Sequence, residues 1–236
     1  MFFFYIFLCF FLLFFLFHFL TKKYVNPYKL TMVFGKKGSG KSTLLVKLAY
    51  KFIAKGWNVY STERIDGCFL IDYNDIGFVQ FPPNSVLLID EVGMIWDNRQ
   101  FKNFKNEVRD WFKLQRHYRV RVYLFSQTFD IDKKLRDLTD DMYLCTCIAR
   151  VFSYAKRIRR KTVLTKPLGD APSRIDEELR FDSFLFAFFG SRMLTFIPAW
   201  SNFFDSHSVP SLDYKDFVLI PPLRVPKKLK RKFKNL

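Results

Sequence analysis

At 236 residues with half of them apolar, the chain suits one domain with appendages. Its formal net charge of +17 calls for an anionic partner, nucleic acid, acidic lipid or both. Four cysteines (Cys9, Cys68, Cys145, Cys147) match neither a zinc site nor a disulfide framework, and His18, His117 and His207 are too scattered to add a metal site, so both kinds of stapled scaffold are excluded.

Residues 2–20 hold ten phenylalanines and no formal charge. As a helix they would span roughly 28 Å, close to the hydrocarbon thickness of a bilayer. Lys22, Lys23 and Tyr24 follow as a basic and aromatic interfacial anchor, which places the body of the chain on the cytoplasmic side. A cleaved signal peptide is the alternative, but it fits poorly because no basic leader or small-residue cleavage site is evident. Residues 1–21 are therefore expected to be one transmembrane helix and 22–29 a short linker.

Leu30–Phe34 is a short apolar run rich in strand formers. Gly35-Lys36-Lys37-Gly38-Ser39-Gly40-Lys41-Ser42 follows, with three of the chain's nine glycines, and fits the phosphate-binding pattern G-x-x-x-x-G-K-[ST]. Phosphate can approach a backbone only where no Cβ intervenes and where the N–H groups turn inward. Gly35, Lys36, Gly38, Ser39, Gly40, Lys41, Ser42 and Thr43 are the expected ATP-binding residues. Lys41 would reach the β- and γ-phosphates, and Ser42 would ligate Mg²⁺. Leu44, Leu45, Leu48, Ala49, Phe52 and Ile53 recur at helical spacing up to Gly56, so the loop opens a helix whose dipole favours phosphate.

Trp57–Ser61 reads as a second strand, with strand fragments around Phe69–Ile71 and Phe78–Phe81 before the Pro82-Pro83-Asn84 break. Val86–Ile89 is a fully buried strand ending in Asp90 and Glu91. Asp90 is placed to hold Mg²⁺ opposite Ser42, and Glu91 to polarise the attacking water. Residues 92–104 are loop-like, and 105–118 look helical, with Val108, Trp111, Phe112 and Leu114 able to line one side. The basic neighbours on that helix serve either as a solvated face or as a nucleic-acid contact. Val120–Phe125 is a further strand. After it comes Gln127, whose amide can meet the attacking water or the γ-phosphate, or simply cap the strand. A short helix over Asp130–Leu138 and a strand over Met142–Ile148 complete the series. Lys156, Lys161 and the nearby Val163-Leu164 suggest a basic β-hairpin. Residues 181–200 read as a pair of core strands or as a membrane-dipping segment. From Arg224 the tail carries seven Lys/Arg and no acid, which suits anionic lipid or DNA or serves solubility.

A second carboxylate after the acidic strand and a later strand with a polar end resemble the additional-glutamate division of P-loop proteins. That resemblance implies an α/β fold with a central, mostly parallel sheet of order 5-1-4-3-2. Nucleotide kinases are similar at the loop, but they typically lack the second carboxylate.

From about Thr31 to Phe152 the combination resembles the zonula occludens toxin (Zot) family, which includes the gene I assembly protein of filamentous phages. It rests on Gly35–Ser42, Leu87–Glu91, the Gln115–Arg119 block, Ser126-Gln127, Ile131-Asp132 and Leu135-Arg136-Asp137. Members are similar to FtsK–HerA type motors. The resemblance implies a membrane ATPase for virion assembly and single-stranded DNA export, in a host inner or plasma membrane with its ATPase domain cytoplasmic. It also implies a homo-oligomeric ring, phage coat proteins as partners, and an arginine reaching in from the next subunit, for which Arg116, Arg119, Arg136 and Arg150 are candidates. The span precedes the ATPase segment here, the reverse of the usual phage layout. Residues 30–180 are the expected P-loop ATPase domain, 181–222 an aromatic extension packing on it, and 223–236 a basic disordered tail.

Overall fold

The computed structural model describes residues 2–96, 105–129, 131, 133–165, 174–183, 186–187 and 190–203. The basic tail and most of the aromatic extension beyond Phe203 lie outside the described residues. The first element is a helix, α1 (Phe2–Thr21), with no buried residue, long and apolar enough to cross a membrane. The Lys22–Tyr24 stretch behind it is a 3-10 turn.

The body is built on β1 (Leu30–Phe34), β2 (Asn58–Ser61), β3 (Phe69–Leu70), β4 (Ser85–Ile89), β5 (Val120–Ser126), β6 (Asp141–Ile148), β7 (Phe152–Thr165), β8 (Arg174–Phe181) and β9 (Arg192–Phe196). They form a single sheet of order β3-β2-β4-β5-β1-β6-β7-β8, with β9 also on β7. From β3 to β6 every pairing is parallel. The five principal strands thus follow the expected 5-1-4-3-2 order, with β5 inserted between the phosphate-loop strand and the acidic strand.

Period-two alternation explains the layers. Val33, Val86, Leu88, Tyr123 and Phe125 face the loop's helix α2 (Lys41–Ile53) and pack on its Leu44, Leu45, Leu48 and Phe52. Met32, Leu87, Ile89, Val122 and Leu124 point the other way. There they meet α3 (Val92–Ile95), α4 (Asn106–Leu114) and α5 (Lys133–Asp137) through Val92, Trp111, Phe112 and Leu135. Every residue of β4 is buried, as a strand covered on both sides requires.

Beyond β6 the chain turns antiparallel. Ala149 and Arg150 adopt φ 49° and 60°, the left-handed pair that a tight hairpin needs. β7 then runs back along β6 and continues as a ribbon with β8, giving the expected basic hairpin. Its base is tied by Arg157, which donates to the buried Asp182 at 2.5 Å and also pairs with Asp141.

Three expectations change. Phe78–Phe81 is not a strand: Asp72 and Asp75 close a capping box around a 3-10 turn, and Gly77 at φ 94° turns the chain away. Leu114, at the end of α4, is exposed because the helix stops there and the chain bends toward β5. Among the described residues of 181–200, β8 ends at Phe181 and β9 is the one strand that lies wholly inside, with Pro198 following it in a 3-10 turn, so a single strand stands in place of the expected pair.

Phe125 is fully buried between β5 and α2. Phe125→Ala is expected to lower unfolding free energy by about 3–5 kcal/mol in urea titration, through lost burial plus a cavity.

Candidate active site

The parallel strands deliver their polar termini to one end of the sheet, where open α/β sheets bind ligands. The β1–α2 loop is pinned there. Gly35 donates its N–H to Ser126 O at 3.2 Å. A Cβ on Gly35 would lie 2.3 Å from Cys145 O, and one on Gly40 would lie 2.6 Å from Ser153 Cβ. Gly40 also has φ 82°, so both packing and conformation demand glycine at that position. Beneath the loop, Cys145 Sγ donates to Ser39 O at 3.3 Å and lies 3.1 Å from Ser153 Oγ.

Lys41 opens α2 and is only 8% exposed. Its ammonium donates to Gly35 O at 2.8 Å and Lys36 O at 3.3 Å. Those acceptors are neutral, so the acids that its charge feels are Asp90 and Glu91 across from the loop. Ser39 Oγ is buried without a hydrogen-bond partner among the described residues, a group that phosphate would satisfy. Thr43 is turned inward, its hydroxyl donating to Gly40 O at 2.7 Å, while Ser42 on the first turn is half-buried. Lys36, Lys37 and Gly38 line the outer, exposed part of the loop.

Across from the loop, the end of β4 is held by neighbours. Asp90 N–H donates to Thr62 Oγ1 at 2.9 Å, and Tyr73 OH donates to Asp90 O at 2.8 Å. The Asp90 carboxylate accepts from Glu91 N–H at 2.9 Å. Glu91 itself is left-handed, φ 50° and ψ 40°, at the start of α3. Such a backbone costs about 1–2 kcal/mol in a residue with a Cβ and gathers at functional sites.

Electrostatics tie these groups together. Burial pushes the Asp90 carboxyl above its ordinary range; the Glu91 N–H and Lys41 offset only part of this. Burial and then the Asp90 charge raise Glu91, while Lys41, a hydrogen bond from the Gln127 amide and Lys37 pull it back. Glu63 is raised by burial and by the same two acids. The structure therefore brings Lys41, Asp90, Glu91 and Gln127 close enough to act on one another at the same end of the sheet. Glu63, Thr62 and Tyr73 escaped the sequence reading. Thr62-Glu63 directly follows β2, so a search of every strand terminus for polar residues would have found them.

The chemistry of the donors, the Ser42 hydroxyl and the Asp90 and Glu91 carboxylates, is the all-oxygen kind that Mg²⁺ takes, although no group of three or more His, Cys, Asp or Glu gathers as a metal site among the described residues. Among the arginines weighed, Arg116 and Arg119 precede β5 and so sit at the opposite end of the sheet. Arg136 stacks on Phe129, 4.6 Å from the ring centroid. Arg150 is exposed in the β6–β7 turn, at the loop's end of the sheet.

The family model for zonular occludens toxin (Zot) matches residues 66–192, more than half of the chain. The chain belongs to the Zot family. The matched part holds the acidic strand and runs through β5 to β8 into β9. No curated protein matches the chain. Among solved structures, it is similar to the N-terminal domain of zonular occludens toxin from Neisseria meningitidis, with 15% identity over 68% of this chain and 97% of that one, TM-score 0.40. It is also similar to the genome packaging NTPase B204 from Sulfolobus turreted icosahedral virus 2 in complex with AMP, with 17% identity over 51% of this chain and 76% of that one, TM-score 0.39. A third is the flagellar accessory protein FlaH from Methanocaldococcus jannaschii, with 12% identity over 55% of this chain and 77% of that one, TM-score 0.39.

The raised carboxyls of this Zot-family site make a stability prediction. Folded Asp90 binds its proton more tightly than the unfolded chain does, so its ionised form at neutral pH works against folding. Asp90→Asn should therefore melt above wild type at pH 7 without ligand. The gap should close as pH falls through the raised pKa toward the unfolded value near about 4, where wild type is also neutral there. Thermal melts from pH 4 to 8 check this, and a variant less stable than wild type at pH 7 would overturn it.

Proposed function

We propose that this Zot-family chain is a membrane-anchored ATP hydrolase whose turnover drives virion assembly and export of single-stranded DNA. The observation that carries the ATPase reading is the buried Lys41 ammonium, held by loop carbonyls and facing the Asp90–Glu91 pair across the cleft. ATP would lay its phosphates on the loop N–H groups and on Ser39, with Lys41 neutralising the oxygens that gain charge. Ser42, and Asp90 through water, would hold Mg²⁺, which would supply further neutralisation at the phosphates. Glu91 accepts a proton from the attacking water. Its upward shift brings it nearer operating pH, which improves a general base, and the Gln127 amide fixes its direction.

The exposed α1, with Lys22 and Lys23 behind it, supports a single membrane span with the ATPase body in the cytoplasm. Membership of the Zot family supports the assembly role, with coat proteins and single-stranded DNA as the partners and a homo-oligomeric ring as the working form. An ATP-switched scaffold is the alternative in which nucleotide is bound and not turned over.

Lys41→Ala is expected to abolish nucleotide binding. Glu91→Gln is expected to bind ATP normally while steady-state hydrolysis falls by roughly 10²–10⁴-fold. Phosphate release with and without single-stranded DNA, alongside binding of a fluorescent ATP analogue, measures both. Wild-type turnover in Glu91→Gln would remove Glu91 as the base, and ATP binding without turnover in wild type would favour the scaffold.

A further inference from the structure

Two exposed surfaces at the nucleotide end of the sheet have no part in the chemistry above. The first is a three-strand face of β6, β7 and β9. Directly paired residues share a face, so Ile148, Phe152 and Phe196 form one row, and Thr146, Tyr154 and Leu194 the next. Lys156 and Arg192 close it as a basic rim. The alternate residues Cys145, Ala155 and Met193 pack toward α2, so this face looks away from that helix. Leu194 on it is 54% exposed, and Ile148 and Phe196 are nearly as open.

The second surface is the opposite edge of the sheet. Phe69 and Leu70 of β3, Phe78, Val79, and Met94 of α3 are all exposed, Met94 at 79%. α3 starts immediately after Glu91, so this edge is continuous with the catalytic acid.

The charges on the two are opposed. In a chain of net charge +17, Glu63, Asp66, Asp72 and Asp75 near the edge outnumber Arg64 and the Lys105 that lies over the Phe78 ring, whereas Arg150, Lys156 and Arg192 border the face, and Arg157, Arg159 and Arg160 beside them are paired with Asp182, Asp141 and Asp137. Each surface thus has an apolar centre, and the two carry rims of opposite sign, the pattern of complementary halves of an interface.

We infer that these surfaces dock on each other between copies: the basic apolar face of β6, β7 and β9 in one chain covers the acidic apolar β3–α3 edge of the next. The contact is heterologous, so it repeats head to tail and closes into a ring where the rotation permits. The inference rests on the ring reading above and names the surfaces that build it. It also sets the Arg150 turn of one copy beside the α3 edge of its neighbour. Single-stranded nucleic acid stacked on Phe152, Tyr154 and Phe196 is the rival occupant of the first surface. It would leave the acidic apolar edge uncovered, whereas one contact between copies covers both.

The test uses the full chain in detergent micelles, with particle mass measured by light scattering after correction for bound detergent. Leu194→Asp alters the face and Leu70→Lys the edge. Both side chains are exposed, and retained binding of a fluorescent ATP analogue shows that each variant is folded. Each variant alone is expected to need at least tenfold more protein to assemble than wild type. An equal mixture is expected to assemble again, because the L194D face meets the L70K edge and the unaltered face meets the unaltered edge. Failure of the mixture to recover, or a wild-type oligomer indifferent to both substitutions, would overturn these surfaces and leave the ATPase reading intact. A wild-type chain that binds ATP but stays monomeric overturns the ring reading along with them. An unchanged mass with weakened binding of labelled oligothymidylate in Leu194→Asp would assign the face to nucleic acid and overturn the inference. Absence of ATP binding in wild type would count against the nucleotide site alone, and the mass measurement would still decide this question.

Discussion

The seating of the phosphate loop on the β6–β7 hairpin is the constraint from which the rest of the site follows. Gly35 lies against the carbonyl of Cys145, and Gly40 against the side chain of Ser153, both closer than any side chain would allow. The hairpin thereby fixes the height of the loop above the sheet, and α2 starts where its first turn can present Lys41. From that seat the ammonium reaches back to its own loop carbonyls rather than to an acid. The site keeps a positive charge in a buried place, which is tolerable only because carbonyl dipoles and nearby acids surround it.

The acids are arranged with equal economy. β4 ends in a region crowded by Thr62, Tyr73 and Glu63, all from the connection that follows β2. Burial raises all three carboxyls, the neighbouring acids add to the rise at Glu91 and Glu63, and Lys41 restrains it at Asp90 and Glu91. The left-handed Glu91 adds backbone strain to these raised carboxyls. Active sites commonly hold such local cost, and the cores on both faces of the sheet supply the stability that carries it.

The sheet also separates roles by position. Its centre, β4, β5 and β1, is buried on both faces and positions chemistry. Its two margins expose apolar side chains, Leu70 on one and Leu194 on the other. α1 stands apart from the sheet core, with no buried residue.

Local chemistry made much of this legible in the sequence. The glycines at 35, 38 and 40 declare a backbone that must approach something closely, and Val86–Glu91 declares a doubly buried strand with acids at its end. The 3.6-residue repeat of α2 follows from one buried face. Where several weak preferences competed, tertiary context decided. Phe78–Phe81 reads as a strand by composition but turns because Asp72, Asp75 and Gly77 set the backbone first. Among the described residues of the aromatic run before Trp200, β9 pairs with the side of β7 that β6 leaves free, and Pro198 ends the pairing. The grouping of Glu63 with Asp90 and Glu91, the Gln127 bond to Glu91 and the Cys145–Ser153 bed under the loop join residues far apart along the chain. Only the folded sheet brings them together, because a contact between distant segments depends on which strands become neighbours, and no local sequence pattern encodes that.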